Sequence, residues 1–145
     1  MELGIKNKTA LITGASKGLG FYIASALAKE GCNIGICARN KDEIKSAEKK
    51  LTKLGIKVLG IEADVTTNEG TNEAYSAPVN SIGPIDILIN NAGVGRGYRS
   101  LAEANSSDID CTLDTNVHAA VHAVHAVLPS MIKNGSGHIV NIGSM

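Results

Sequence analysis

Three glycines and two nearby cations are the residues best suited to chemistry in this chain. Thr13-Gly14-Ala15-Ser16-Lys17-Gly18-Leu19-Gly20 follows a short apolar run, Thr9 to Ile12, and opens a helical pattern. Strand, Gly-rich turn and helix in that order build an anion site. Glycine lets backbone approach a ligand closely, and a helix start presents unpaired N–H groups to a phosphate. The spacing G-x-x-x-G-x-G is a weak signal alone and gains weight from its place between strand and helix. The chain reads as a dinucleotide-binding α/β protein, with Gly14, Ser16, Lys17, Gly18, Leu19 and Gly20 as candidate cofactor contacts. In such a unit the end of the second strand, about 20 residues on, meets the adenosine ribose, and an acid there favours NAD. Here the strand end is Ala38-Arg39-Asn40, with Arg39 nineteen residues past Gly20. A guanidinium grips a 2′-phosphate through two parallel charge-assisted bonds. Arg39 and Asn40, with Lys17 as a second cation and no acid at that place, point to NADP(H).

Further constellations lie downstream. Asp64-Val65 closes a third apolar run, and an Asp at a strand end can accept from an adenine amine or lead into the next helix. Asn90-Asn91-Ala92-Gly93 closes a fourth. Small Ala92 and Gly93 leave room for a cofactor lying across the strand ends, and Asn91 is suited to tie neighbouring strands together. His118, His122 and His125 sit at i, i+4 and i+7. Two His one turn apart can bind zinc. No Cys or carboxylate of matching position accompanies them, so they read as a polar or interface stripe and no metal is expected. Arg96 and Arg99 read as solvated loop residues near the mouth of the site. Ser144 lacks the G-x-S-x-G elbow of a hydrolase nucleophile.

These residues need elements to hold them. Short apolar runs alternate with longer amphipathic stretches, the pattern of βαβ units and a parallel sheet. Strands are expected at Lys8 to Ile12, Asn33 to Ala38, Lys57 to Glu62, Ile85 to Asn90 and His138 to Ile142. A first helix, Gly18 to Glu30, carries Ile23, Ala26 and Leu27 on one face and stops at Gly31. Asn40-Lys41-Asp42-Glu43 reads as a capping box, ahead of an apolar stripe of Ile44, Ala47, Leu51 and Leu54. A third helix begins near Thr66, and Gly70 and Pro78 predict a kink or break near Ala77. The longest helix is expected from Ser107 to Lys133. The strand order 3-2-1-4-5, with helices on both faces, is favoured over 2-1-3-4-5 because Arg39 and Asn91 must line one groove.

Bulk composition removes several function classes. The 145 residues suit one domain, 43% of them are apolar, and Lys plus Arg balance Asp plus Glu at 14 each. No net field favours nucleic acid or an anionic membrane. One Phe, three Tyr and no Trp make poor base-stacking platforms. No run approaches the ~20 apolar residues of a membrane span, and Met1 to Lys8 lacks the apolar stretch of a signal peptide. Cys32, Cys37 and Cys111 form no CxxC and read as reduced thiols of a cytoplasmic protein.

Taken together, Thr13-Gly14-x-x-x-Gly18-x-Gly20, Asp64-Val65, Asn90-Asn91-Ala92-Gly93, Asn116 within Asp114-Thr115-Asn116-Val117, and Gly137 to Ser144 stand in the order of the short-chain dehydrogenase/reductase family. The chain resembles its one-domain members, such as 3-oxoacyl-carrier-protein reductases and sugar or steroid dehydrogenases. The resemblance implies a Rossmann-type sheet and hydride transfer between NAD(P)(H) and a small-molecule carbonyl/alcohol pair, in a homo-oligomer. It implies that Ser144 polarises the substrate carbonyl and that Asn116 holds a proton-passing water. Family members carry a Tyr about 13 residues after that Ser, as general acid/base, with a Lys four later. The tyrosines here are Tyr22, Tyr75 and Tyr98, with Ala26, Val79 and Ala102 four residues on. The chain is therefore expected to be C-terminally incomplete and to turn over weakly, since general acid–base catalysis contributes about 10²–10⁴-fold. An inactive NADP-binding fragment is the alternative. The T-G-x-x-G-x-x-G spacing of related epimerases and dehydratases is not the one seen here.

Overall fold

Five parallel strands form one sheet: β1 (Thr9–Thr13), β2 (Asn33–Ala38), β3 (Val58–Glu62), β4 (Ile87–Asn90) and β5 (His138–Asn141). Their order is β3-β2-β1-β4-β5, as expected. The computed structural model describes residues 2–95 and 100–144. Strand order reverses between β1 and β4, which opens a crevice at the carboxyl ends of these two strands. This is a doubly wound sheet of the Rossmann type.

The alternation of side chains along β1 builds two cores at once. Ala10 and Ile12 face one side, where Ile34, Ile36, Ile87 and Ile89 join residues of α1 (Gly18–Lys29) and α2 (Lys41–Thr52). Leu11 faces the other, with Leu88 and with Ala123, Val127 and Met131 of α5 (Ala119–Asn134). Every residue of β1 is buried. Ile12, Ile34 and Ile36 are wholly buried, at about 1.5–3 kcal/mol each in transfer free energy. The β1–β2 centre is thus the best-anchored part of the sheet, and it carries the Gly-rich loop.

Three helices depart from expectation, each for a physical reason. In α1 the buried face is Gly20, Ala24 and Ala28, while Ile23 and Leu27 flank it and Ala26 is exposed. Small residues at i, i+4 and i+8 let this helix lie close on the sheet, and close approach outweighs side-chain size. In α2, Asn40 Oδ1 accepts from the N–H groups of Asp42 and Glu43, each at 3.0 Å. Only this half of the capping box forms, because the Glu43 carboxylate turns across to the Gly-rich loop. The stripe Ile44, Ala47 and Leu51 is buried, whereas Leu54 lies past the helix end and is exposed.

The third correction is α3 (Asn68–Ser81), which runs unbroken through Pro78. Thr67 caps it by accepting from the Gly70 N–H at 3.0 Å. Proline removes one helical donor, yet Pro78 is wholly buried against the sheet. A Cβ added at Gly35 would sit 3.2 Å from its ring. Packing of the ring into this notch offsets the lost hydrogen bond.

The expected long helix is present but interrupted. α4 (Ser106–Leu113) passes into a π turn over Asp114–His118 and then into α5. Its buried face is Ala119, Ala123, Val127 and Met131, and Gly135 at φ 64° ends it in the left-handed conformation. β5 lies at the sheet edge and is mostly exposed. No helix among the described residues is long and apolar enough to cross a membrane.

Candidate cofactor and active site

The site is a trough along the carboxyl ends of the strands, and it begins with a knot between β1 and β4. Asn91 Nδ2 donates to the carbonyls of Thr13 (3.1 Å) and Gly14 (3.0 Å). In return Thr13 Oγ1 accepts from the N–H groups of Asn91 (3.1 Å) and Ala92 (3.0 Å). These four bonds hold the Gly-rich loop against the Asn91-Ala92-Gly93 turn. Thr13 is buried, so Thr13→Val would preserve shape and leave two N–H donors without their acceptor. The expected loss is about 1–3 kcal/mol of unfolding free energy, read by urea denaturation.

The three glycines of the loop act for three different reasons. Gly14 has φ 62°, and a Cβ there would lie 2.8 Å from Ala92 Cα. A Cβ at Gly20 would lie 2.5 Å from Asn91 Nδ2 and 2.6 Å from the Gly14 carbonyl. Gly18 has φ 59°, with nothing within 4 Å of its Cβ position. Backbone there opens onto free space at the start of α1, where N–H groups point outward. That cradle fits the diphosphate of a dinucleotide.

Two cavities meet at Ala92 and Gly93. One, of about 390 Å³, is lined by Gly14, Ser16, Lys17, Cys37, Ala38, Arg39, Asn40, Glu43, Asp64 and Val65, with others. The second, of about 720 Å³, is lined by Leu19, Asn91, Val94, Asn116 and Ser144, with others. The residues expected at the adenosine end therefore line one chamber, and Ser144 and Asn116 line the other. Gly18 and Gly20 lie in the helix start beside them. Arg96 and Arg99 lie outside the described residues.

Within the smaller chamber the charges are more entangled than a pair of cations. Glu43 accepts from Ser16 Oγ at 3.0 Å and from Lys17 Nζ at 2.9 Å. The Lys17 hydrogen bond above all, then that of Ser16, holds the Glu43 carboxyl below its ordinary value. The expectation of cations without an acid is thus corrected: no acid stands at the end of β2, but one reaches in from the first turn of α2. Asp64 Oδ1 accepts from Thr66 Oγ1 (2.7 Å) and from the Thr66 N–H (3.0 Å). The Thr66 hydroxyl chiefly, with its N–H and the Arg39 charge, keeps this carboxyl low against the opposing effect of burial. Burial pushes the Cys37 thiol up to about 12, so this lining residue is inert as a nucleophile.

In the larger chamber Asn116 sits in the π turn. Its Oδ1 accepts from the Val94 N–H at 2.9 Å and its Nδ2 donates to the Val94 carbonyl at 2.8 Å. The side chain thereby fixes the loop after β4. A π turn loosens the helical hydrogen-bond ladder locally, a feature common at functional sites. Of the three helix histidines, His118 Nδ1 pairs with Asp114 Oδ1 at 2.8 Å, while His122 is half-buried and His125 is exposed. Among the described residues no three His, Cys, Asp or Glu side chains cluster as metal ligands.

Glu43, the Thr13 hydroxyl and the π turn are the site features that sequence reasoning missed. Glu43 is twenty-six residues from Lys17, and its only local signal, three residues after Asn40, pointed to a cap. Thr13 was visible as the residue before Gly14, without a sign of which donors it meets. No sequence pattern marked the π turn.

The family model for "short chain dehydrogenase" matches residues 8–145. Ketoacyl reductase HetN of Nostoc sp. is 37% identical over 141 residues, which are 97% of this chain and 49% of that protein. Gluconate 5-dehydrogenase of Gluconobacter oxydans is 39% identical over 136 residues, covering 94% of this chain and 53% of the relative. Among solved structures, L-sorbose reductase from Gluconobacter frateurii, complexed with NADPH and L-sorbose, superposes with a TM-score of 0.92 at 37% identity. That match covers 97% of this chain and 54% of the reductase. An NAD+-bound xylitol dehydrogenase gives 0.92 at 33% identity, with 97% and 54% covered. The chain thus spans about half the length of these relatives. By the family match across nearly its whole length, the chain belongs to the short-chain dehydrogenase family, an oxidoreductase family.

Proposed function

We propose that this chain forms the cofactor-binding part of an NADP(H)-dependent oxidoreductase that interconverts a small-molecule carbonyl and alcohol. The observation that carries the reading is the smaller chamber, where Arg39 and Lys17 stand beside the Gly18 cradle. When bound, the nicotinamide supplies or receives the hydride. The chain's own residues bind and orient. The loop from Gly14 to Gly20 receives the diphosphate, with Ser16 and Leu19 beside it. Arg39, Asn40 and Lys17 meet the 2′-phosphate, and Asp64 with Val65 bounds the adenine. Small Ala92 and Gly93, held by Asn91, would let the cofactor lie across the carboxyl ends of the strands. Ser144 donates a hydrogen bond to the substrate carbonyl, and Asn116 shapes the turn that holds a proton-passing water.

A homo-oligomer is part of the same reading. Leu113, Val117, Val121, Leu128 and Ile132 are exposed along one run of helix, an apolar row suited to a second copy. The reduced Cys32 and Cys37 suit a cytoplasmic setting. The test of cofactor choice is calorimetric titration of the chain with NADPH and NADH. NADPH is expected to bind about tenfold more tightly, a difference of about 1.4 kcal/mol. Equal affinity, or a preference for NADH, would overturn the NADP(H) assignment.

A further inference from the structure

We propose that Glu43 is a specificity-determining residue that holds down the affinity of the site for a 2′-phosphate. The inference rests on the reading that the smaller chamber receives the adenosine end of the cofactor. Its carboxylate bridges Ser16 Oγ (3.0 Å) and Lys17 Nζ (2.9 Å). These two donors line the same chamber as Arg39 and Asn40. The carboxylate is thus an internal anion seated on part of the phosphate grip.

Two consequences follow from electrostatics alone. An entering 2′-phosphate must share or replace Glu43 at Lys17, because the ammonium is a single point charge. It must also approach a fixed negative group, which repels it. A ribose with a free 2′-hydroxyl meets neither obstacle. It can even donate to the carboxylate, as it does where an acid ends the second strand. Glu43 therefore opposes Arg39: the guanidinium favours the phosphorylated cofactor and the carboxylate narrows that preference. Discrimination in this chain is set by the balance of the two and not by Arg39 alone.

The pair is exposed, with Lys17 at 77% and Glu43 at 36% of full side-chain exposure, so the effect is screened by salt and modest in size. The Glu43→Gln variant keeps one acceptor oxygen, for Lys17, and presents its NH2 to the Ser16 hydroxyl, which can accept, while removing the charge. Titrations in low salt with NADPH, NADH and adenosine 2′,5′-bisphosphate read the outcome. Glu43→Gln is expected to tighten NADPH and the bisphosphate about threefold to tenfold and to change NADH less than about twofold. In a Lys17→Met background the part of that gain that comes from competition at Lys17 should vanish, leaving the smaller part that comes from direct repulsion of the phosphate.

Unchanged or weaker NADPH binding in Glu43→Gln would overturn the proposal. So would equal tightening of NADPH and NADH, which would mean a general change in the loop. Circular dichroism melts of each variant separate misfolding from altered binding, and Glu43→Asp, which withdraws the carboxylate by one methylene, repeats the comparison if the Gln variant melts early. The assignment of NADP(H) itself is judged separately, by the wild-type preference. If wild type favours NADH, that reading fails, while the ratio of variant to wild-type NADPH affinity still decides the role of Glu43.

Discussion

Gly20→Ala is expected to lower the stability of the chain by about 2–3 kcal/mol and to abolish tight dinucleotide binding. The added methyl would stand 2.5 Å from Asn91 Nδ2, 2.6 Å from the Gly14 carbonyl and 2.9 Å from Ala15 Cα. The first two atoms are the partners of one hydrogen bond, 3.0 Å long, so the methyl falls where that bond runs. Helix propensity pulls the other way: alanine in place of glycine gains at most about 1 kcal/mol, and less in the first turn where Gly20 sits. The clash outweighs this gain because two of the three obstacles are backbone atoms of a loop already knotted to β4. A side chain could swing aside, but the loop can yield only by breaking the knot. Urea unfolding and NADPH titration of the variant check the result. Gly18→Ala is the contrast, since its Cβ would meet nothing within 4 Å. It should cost only the left-handed backbone strain of about 1–2 kcal/mol. Equal stability of Gly20→Ala and wild type would refute this account of α1.

Arg39→Asp is expected to reverse cofactor preference. The residue directly follows β2, is exposed and lines the smaller chamber. On the proposed reading, removing it would cost the 2′-phosphate a charge-assisted, two-pronged contact. Hydrogen bonds to charged groups contribute about 1.5–3 kcal/mol, so NADPH affinity should fall about 10²-fold. The new carboxylate repels the phosphate and can accept from the ribose hydroxyls, so NADH should bind a fewfold more tightly. Asp64 shapes the size of the swing. Arg39 helps to keep Asp64 ionised, so the variant brings a second negative charge near the first. Titration of the variant with both nucleotides checks the reversal. A parallel loss for both would mean that Arg39 supports the loop and does not read the phosphate.

Much of this architecture is legible in the chain because it depends on local signals that packing does not override. The apolar runs at Thr9–Ile12 and Ile87–Asn90, buried on both faces, announce a parallel sheet. Gly31, at φ 85°, follows the end of α1 where sequence reasoning places the stop. Asn91 can be read as a tie between strands, and its bonds to Thr13 and Gly14 form that tie. What escapes notice depends on distance in space. Propensity treats Pro78 as a breaker because the notch at Gly35 that accepts it is forty-three residues away. Periodicity assigns the buried face of α1 to Ile23, Ala26 and Leu27, whereas the sheet takes Gly20, Ala24 and Ala28. A capping-box pattern explains Glu43 locally and so conceals its partners across the chamber. In each case a competent local reading yields to a contact that only the fold can bring about.

The seat of Pro78 against Gly35 also bears on how this fold can vary. A proline ring in α3 and a bare backbone in β2 are two halves of one fit. Enlarging position 35 alone drives a side chain into the ring, whereas replacing the proline alone empties the notch but restores a helical donor. The order of exchange therefore matters: a smaller, non-proline residue at position 78 makes room for a side chain at position 35. Drift at these two sites is coupled: a side chain at position 35 is admitted once the ring has gone, and a designer regrafting α3 with its proline onto another sheet must carry the glycine with it.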